Sequence, residues 1–119
     1  MQKREIYLVT GAAGHLGFTI VSQLIADGRK VRALVLPGDV LASRLPSQVE
    51  IFYGNVLDPL SLEAFFRVGP DTDIFVIHAA GIVTTSLKYQ AIVYDVNVRG
   101  TRNVTDAAIK FNAAKLVYV

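Results

Sequence analysis

Apolar and polar positions follow two rhythms along this chain. Ile6 to Thr10 is a short apolar run that stops at glycine, and Val31 to Leu36 is a second that stops at Pro37-Gly38. Both read as buried strands. Between them Leu16, Ile20, Val21, Leu24 and Ile25 recur at helical spacing, with Gly28 as the C-terminal stop. Val49 to Tyr53 fits a third strand. Asp58-Pro59 offers an N-cap with proline in the first turn, so a helix opens there and Gly69-Pro70 ends it. Ile74 to His78 is a fourth apolar run, and Lys115 to Val119 begins a fifth strand. From about Tyr89 to Asn112, the residues Val93, Val96, Gly100, Val104, Ala108 and Phe111 keep a helical stripe, which predicts the longest helix. Pro37 to Gln48 is loop or a short helix.

Strands alternating with helices predict an α/β fold with a parallel sheet, right-handed crossovers and strand order 3-2-1-4-5. The length of 119 residues suits one domain. The sequence stops inside the apolar run Leu116-Val117-Tyr118-Val119. A parallel strand needs cover on both faces, so the expectation is the N-terminal part of a longer protein, truncated after the fifth strand. There is no Cys, which excludes disulfides, zinc-thiolate sites and cysteine nucleophiles within these residues. The net charge is +2 and the basic residues are scattered, so charge supports neither a nucleic-acid nor a membrane-surface role. The apolar run Ile6 to Val9 is too short for a signal peptide or membrane span. Cytoplasmic location is the default expectation.

The most specific chemical signal is Thr10-Gly11-Ala12-Ala13-Gly14-His15-Leu16-Gly17, a GxxGxxG pattern at the first strand-to-helix junction. Gly11 allows a tight turn, Gly14 lets main-chain amides approach a pyrophosphate, and Gly17 lets the helix pack close to the sheet. Unpaired amides and the positive end of the helix dipole then bind the anion. A glycine-rich turn alone is often only a turn. Here the strand before it, the helix after it and the second strand further on are all present.

With these residues in place, the sequence resembles the short-chain dehydrogenase/reductase superfamily, particularly its extended branch of NAD(P)-dependent epimerases, dehydratases and carbonyl reductases. Gly54-Asn55-Val56-Leu57-Asp58 is similar to the GDVxD segment of that branch, Val76-Ile77-His78-Ala79-Ala80-Gly81 to its fourth-strand motif, and Asn97-Val98-Arg99-Gly100-Thr101 to its NVxGT helix motif. The resemblance covers essentially the whole chain and implies a Rossmann-type doubly wound sheet. It implies that Gly11, Gly14, His15, Leu16 and Gly17 hold the pyrophosphate. Asn55, where the branch more often has Asp, and Val56 would meet the adenine. Ala79, Ala80 and Gly81 would line the nicotinamide-side ribose, and Asn97 would support the pocket from mid-helix.

Plainer readings stand beside these. His78 ends an apolar strand and reads as a satisfied buried histidine. Asp58 reads as a helix cap, Asn97 and Gly100 as aids to close helix packing, and the Thr84, Thr85, Ser86 loop as a polar helix entry. The two histidines have no carboxylate cluster, so no metal site is expected. The second strand holds no acid, and Arg32 resembles the first arginine of the VRAxVR pattern in reductase-like members, which favours NADP over NAD. Asp39 is the alternative ribose contact.

The superfamily's chemistry depends on a Tyr-x-x-x-Lys pair and a Ser or Thr after the fifth strand. Four positions after Tyr7, Tyr53, Tyr89 and Tyr94 come Gly11, Leu57, Val93 and Val98, and Tyr118 has nothing there. No catalytic residue is therefore assigned, and this segment alone is expected to be inactive. The parent is expected to be an oxidoreductase, epimerase or dehydratase acting on a carbonyl or sugar-nucleotide substrate. The alternative is a non-catalytic NAD(P)-sensing regulator. A homodimer through the long helix is a further expectation.

Overall fold

The structure, a computed structural model, describes residues 4–80 and 91–119. Five parallel strands form one sheet: β1 (Arg4–Thr10), β2 (Val31–Val35), β3 (Glu50–Tyr53), β4 (Thr72–His78) and β5 (Lys115–Tyr118). Their order is β3-β2-β1-β4-β5, as the sequence pattern predicts. Helix α1 (His15–Ala26) and a 3-10 turn (Val40–Arg44) pack on one face. Helices α2 (Pro59–Phe66) and α4 (Thr101–Lys110) cover the other. A four-residue α3 (Ala91–Tyr94) leads into α4 through a π-helical segment, Asp95–Gly100.

Period-two alternation assigns each central strand residue to a face. Ile6, Leu8, Leu34, Ile74 and Val76 point toward α2 and α4, where Leu62, Phe65, Phe66 and Val104 meet them. Val9, Val31, Ala33 and Val35 face α1 and the 3-10 turn, against Val21, Ala42 and Leu45. Each large side chain buried this way contributes roughly 1.5–3 kcal/mol of transfer free energy. The continuous apolar runs in β1, β2 and β4 are thus what a strand covered on both faces needs.

Two helices differ from the expected spans. Helix α2 stops at Phe66, well before Gly69-Pro70. The Arg32 guanidinium reaches across from β2 and donates to the Phe65 and Arg67 carbonyls at 2.8 and 3.0 Å, satisfying orphan acceptors of the last turn. The long helical stripe is real, but it widens into the π segment and α4 ends at Lys110. Asn112 takes φ 54° just beyond it, and the Asn112 and Ala113 amides close onto the Ile109 and Ala108 carbonyls at 3.1 and 2.9 Å. That is a Schellman stop with asparagine in the left-handed position. The expected helix start at Tyr89 lies outside the described residues.

Candidate functional site

The C-terminal ends of the strands open onto a cleft of about 350 Å³. Its walls come from four strand ends: Gly11, Ala13 and Gly14 after β1, Leu34 to Leu36 and Asp39 at β2, Gly54 to Leu57 after β3, and Ala79 with Ala80 after β4. Ile92 and Val96 close it from the α3 and π segments. A crevice outside the carboxyl ends of the central strands, where the strand order reverses about β1, is the usual ligand position of an open parallel α/β sheet.

The glycine loop folds tightly for steric reasons that the structure makes explicit. Gly11 sits at φ 64°, and a Cβ there would lie 2.6 Å from the Ala79 carbonyl and the Ala80 nitrogen. Only glycine combines that backbone with that approach. At Gly17 a Cβ would lie 2.0 Å from the Gly11 oxygen. The close approach at Gly17 is therefore to the loop's own backbone, Gly11 and Ala12, rather than to the sheet. Gly14 is the N-cap of α1 and carries no capping side chain, and the first turn holds no acid. The amides of His15, Leu16 and Gly17 consequently have no intrahelical acceptor. Gly14, His15 and Leu16 are exposed at this point. Leu16, which the helical spacing assigns to the apolar stripe, is 49% exposed because it lies at the mouth of the loop.

On the β3 side, Asn55 Oδ1 accepts the Leu57 amide at 2.9 Å. The Ser61 hydroxyl takes the Asn55 amide at 3.1 Å, so the turn is held from both sides. Val56 lines the cleft but is also a buried core residue: a Cβ on Gly100 would lie 2.7 Å from Val56 Cγ2. The Val56 carbonyl accepts the Asn103 side-chain amide at 2.9 Å. Gly100 accordingly serves close helix packing. On the β2 side, Asp39 caps the 3-10 turn by accepting the Leu41 amide at 2.9 Å and borders the cleft with its half-buried side chain.

Arg32 departs from expectation. It is the second residue of β2, about 10 Å along the strand from Val35. Its Nε donates to Glu50 at 2.9 and 3.1 Å and its Nη1 caps α2, so the guanidinium is spent at the sheet end opposite the cleft. Asn97 lies in the π segment beside the cleft-lining Val96, and its backbone carbonyl accepts the Thr101 hydroxyl at 2.8 Å. Gly81 and the loop of Thr84, Thr85 and Ser86 lie outside the described residues. Asp58 is a helix cap, accepting the Leu60 amide at 3.1 Å.

A buried polar chain beneath the cleft is the feature that sequence reading missed. Thr10 and His78 close β1 and β4 side by side in register. His78 is 1% exposed, its Nδ1 2.6 Å from the Thr10 hydroxyl and its Nε2 2.9 Å from the Thr101 hydroxyl. Burial holds the imidazole below its ordinary pKa, keeping it neutral. His78 is thus a satisfied buried histidine, as the plainer reading has it. The signal available in the sequence was positional: two polar residues each ending an apolar strand, on strands that are neighbours in the expected order.

Among the described residues no cluster of three His, Asp or Glu is placed to hold a metal, and no helix is long and apolar enough to cross a membrane. A family model described as "NAD dependent epimerase/dehydratase family" matches residues 7–119. The chain is 34% identical over 115 residues to sterol demethylase protein B of Methylococcus capsulatus, covering 93% of this chain and 33% of that protein. It is 34% identical over 120 residues to mouse 3 beta-hydroxysteroid dehydrogenase type 7, covering 95% and 31%. It superposes on the Thermus thermophilus UDP-glucose 4-epimerase complex with NAD at a TM-score of 0.83 and 28% identity, covering 93% of this chain and 36% of that one. The chain spans about a third of the length of these relatives.

Proposed function

The chain belongs to the NAD dependent epimerase/dehydratase family, within the extended short-chain dehydrogenase/reductase superfamily, and from that premise we propose a specific role for it. It is the nucleotide-cofactor-binding portion of an NAD(P)-dependent oxidoreductase, epimerase or dehydratase that acts on a carbonyl or sugar-nucleotide substrate. The observation that carries this reading is the uncapped start of α1, where three first-turn amides have no intrahelical acceptor beside a glycine loop too tight for any side chain at Gly11 or Gly17.

The residues fit a dinucleotide in order along the cleft. The amides of His15, Leu16 and Gly17, with Gly14, would hold the diphosphate. Asn55 and Val56 border the adenine end, and Ala79 and Ala80 leave room for the nicotinamide-side ribose. The bound dinucleotide would supply hydride exchange at its nicotinamide ring. What this chain contributes is binding and orientation. The proton-transfer groups, a Ser or Thr and a Tyr-x-x-x-Lys pair, are proposed to lie outside these residues, so this chain alone is proposed to be inactive. The exposed Tyr94 and Val98 support a homodimer through the α3 and π segments.

The expectation of NADP rested on Arg32, which is engaged elsewhere. Asp39 instead brings a carboxylate to the cleft at the end of β2, and a carboxylate there accepts ribose hydroxyls and repels a 2'-phosphate. We therefore favour NAD. Calorimetric titration tests both points. NAD is expected to bind about tenfold or more tighter than NADP, and Asp39→Asn, which keeps the cap oxygen, is expected to narrow that gap. Saturable binding of neither cofactor contradicts the proposed function; NADP binding tighter than NAD contradicts only the role of Asp39.

A further inference from the structure

The buried polar chain under the cleft has a fixed direction. The Thr101 hydroxyl has one hydrogen, and the Asn97 carbonyl takes it at 2.8 Å. Toward His78 Nε2, at 2.9 Å, Thr101 must therefore accept, which puts the imidazole hydrogen on Nε2. The neutral ring then has Nδ1 as an acceptor, and the Thr10 hydroxyl donates to it at 2.6 Å. The Thr10 oxygen is left to accept the amides of Ala79 and Ala80, both at 3.1 Å. The Ala79 amide is shared with the Thr10 carbonyl at 3.3 Å, and no buried side-chain nitrogen or oxygen among the described residues is left without a partner.

Its two ends lie on the cleft. Ala79 and Ala80 line it, and they are the groups against which Gly11 packs without room for a Cβ. The other end fixes the carbonyl of Asn97, next to the cleft-lining Val96. Resting on the dinucleotide reading above, we propose that His78 is a positioning residue: as a fixed Nε2–H link between Thr10 and Thr101, it sets the distance between the glycine loop, the Ala79-Ala80 strand end and the π segment. The other tautomer would aim an N–H at a Thr10 oxygen that already accepts two amides, so the link is directional.

Thr101 is the place to test it, because it touches neither loop nor cleft lining. Thr101→Val removes the acceptor for Nε2–H at nearly constant shape, and Thr101→Ser keeps it. The expected result is about tenfold weaker NADH binding in the valine variant and restoration to within about twofold in the serine variant. Side-chain nitrogen NMR of the wild-type chain reads the tautomer independently of cofactor; with two histidines in the sequence, His15→Gln assigns the spectrum. An Nε2–H signal for His78 is expected. An Nδ1–H or exchange-averaged signal overturns the proposal, as does unchanged NADH affinity in Thr101→Val, and the wild-type spectrum decides if that variant does not fold. A wild-type chain that binds no dinucleotide sinks the underlying reading, and this proposal with it, whatever the tautomer; wild-type binding with an indifferent valine variant sinks the positioning role alone.

Discussion

At the start of α2, Asp58 accepts the Leu60 amide, Pro59 occupies the first turn, and the Ser61 hydroxyl bridges back to the Asn55 carbonyl at 3.0 Å. At the start of α1 there is a glycine without a side chain, no acid in the first turn and no cap. Both helices follow a parallel strand of the same sheet, and both carry the positive end of their dipole toward the same edge. The first has lost one donor to proline and caps the Leu60 amide with its own side chain. The second has no side-chain cap beside a cleft, an arrangement that gives up a few tenths of a kcal/mol of capping energy relative to a Ser or Asp cap unless an anion supplies the acceptors. A missing cap beside a present one is more informative than a glycine count, because it separates a loop shaped for a ligand from a loop shaped for a turn.

The contrast can be broken most severely at Gly17. Gly17→Ala places a methyl on the Gly11 carbonyl, so dinucleotide affinity is expected to fall by at least about a hundredfold in a fluorescence titration with NADH. Gly14→Asp converts the α1 start into a copy of the α2 start. Its carboxylate would compete for the free amides and repel a diphosphate, giving about tenfold weaker NADH binding with an unchanged or raised Tm. The reciprocal change, Asp58→Ala, is expected to cost about 1 kcal/mol of stability in denaturant unfolding while NADH affinity stays within about twofold. If Gly14→Asp and Asp58→Ala had the same effect on binding, the distinction between the two helix starts would be void.

The smallest expected effect is on pH. The native His78 pKa lies below its ordinary value of 6.5 because the ring is buried. The unfolded chain therefore binds the extra proton first, so His78's contribution to stability is complete above about pH 6.5 and is lost as pH falls below it. Glu63, held low by its hydrogen bond and charge pairing with Lys110, acts in the same direction below its ordinary value of 4.5, and weakly, since it is exposed. Tm should be flat from pH 8 to 7 and decline below, with His78→Gln flattening the part of the decline nearest neutrality.

Much of this molecule was legible from residue order. The strand ends at Thr10 and His78 fall where the apolar runs meet glycine or alanine, and the Asp58-Pro59 helix start follows from side-chain chemistry alone. What escaped depends on contacts between distant segments. Arg32 looked available for a phosphate because nothing in β2 reveals that the last turn of α2 will arrive over it with two open carbonyls. The π segment ends at Gly100, which packs against Val56 from a distant part of the sequence. Local punctuation is written in the sequence; the destinations of long side chains are set by the partners that tertiary packing brings.

The diphosphate assignment rests on three amides, and backbone NMR during titration with NAD reads them one by one. Saturable shifts at His15, Leu16 and Gly17, with Leu60 at the capped start of α2 unmoved, are the expected result. Saturable binding that leaves those three amides unperturbed would contradict the claim.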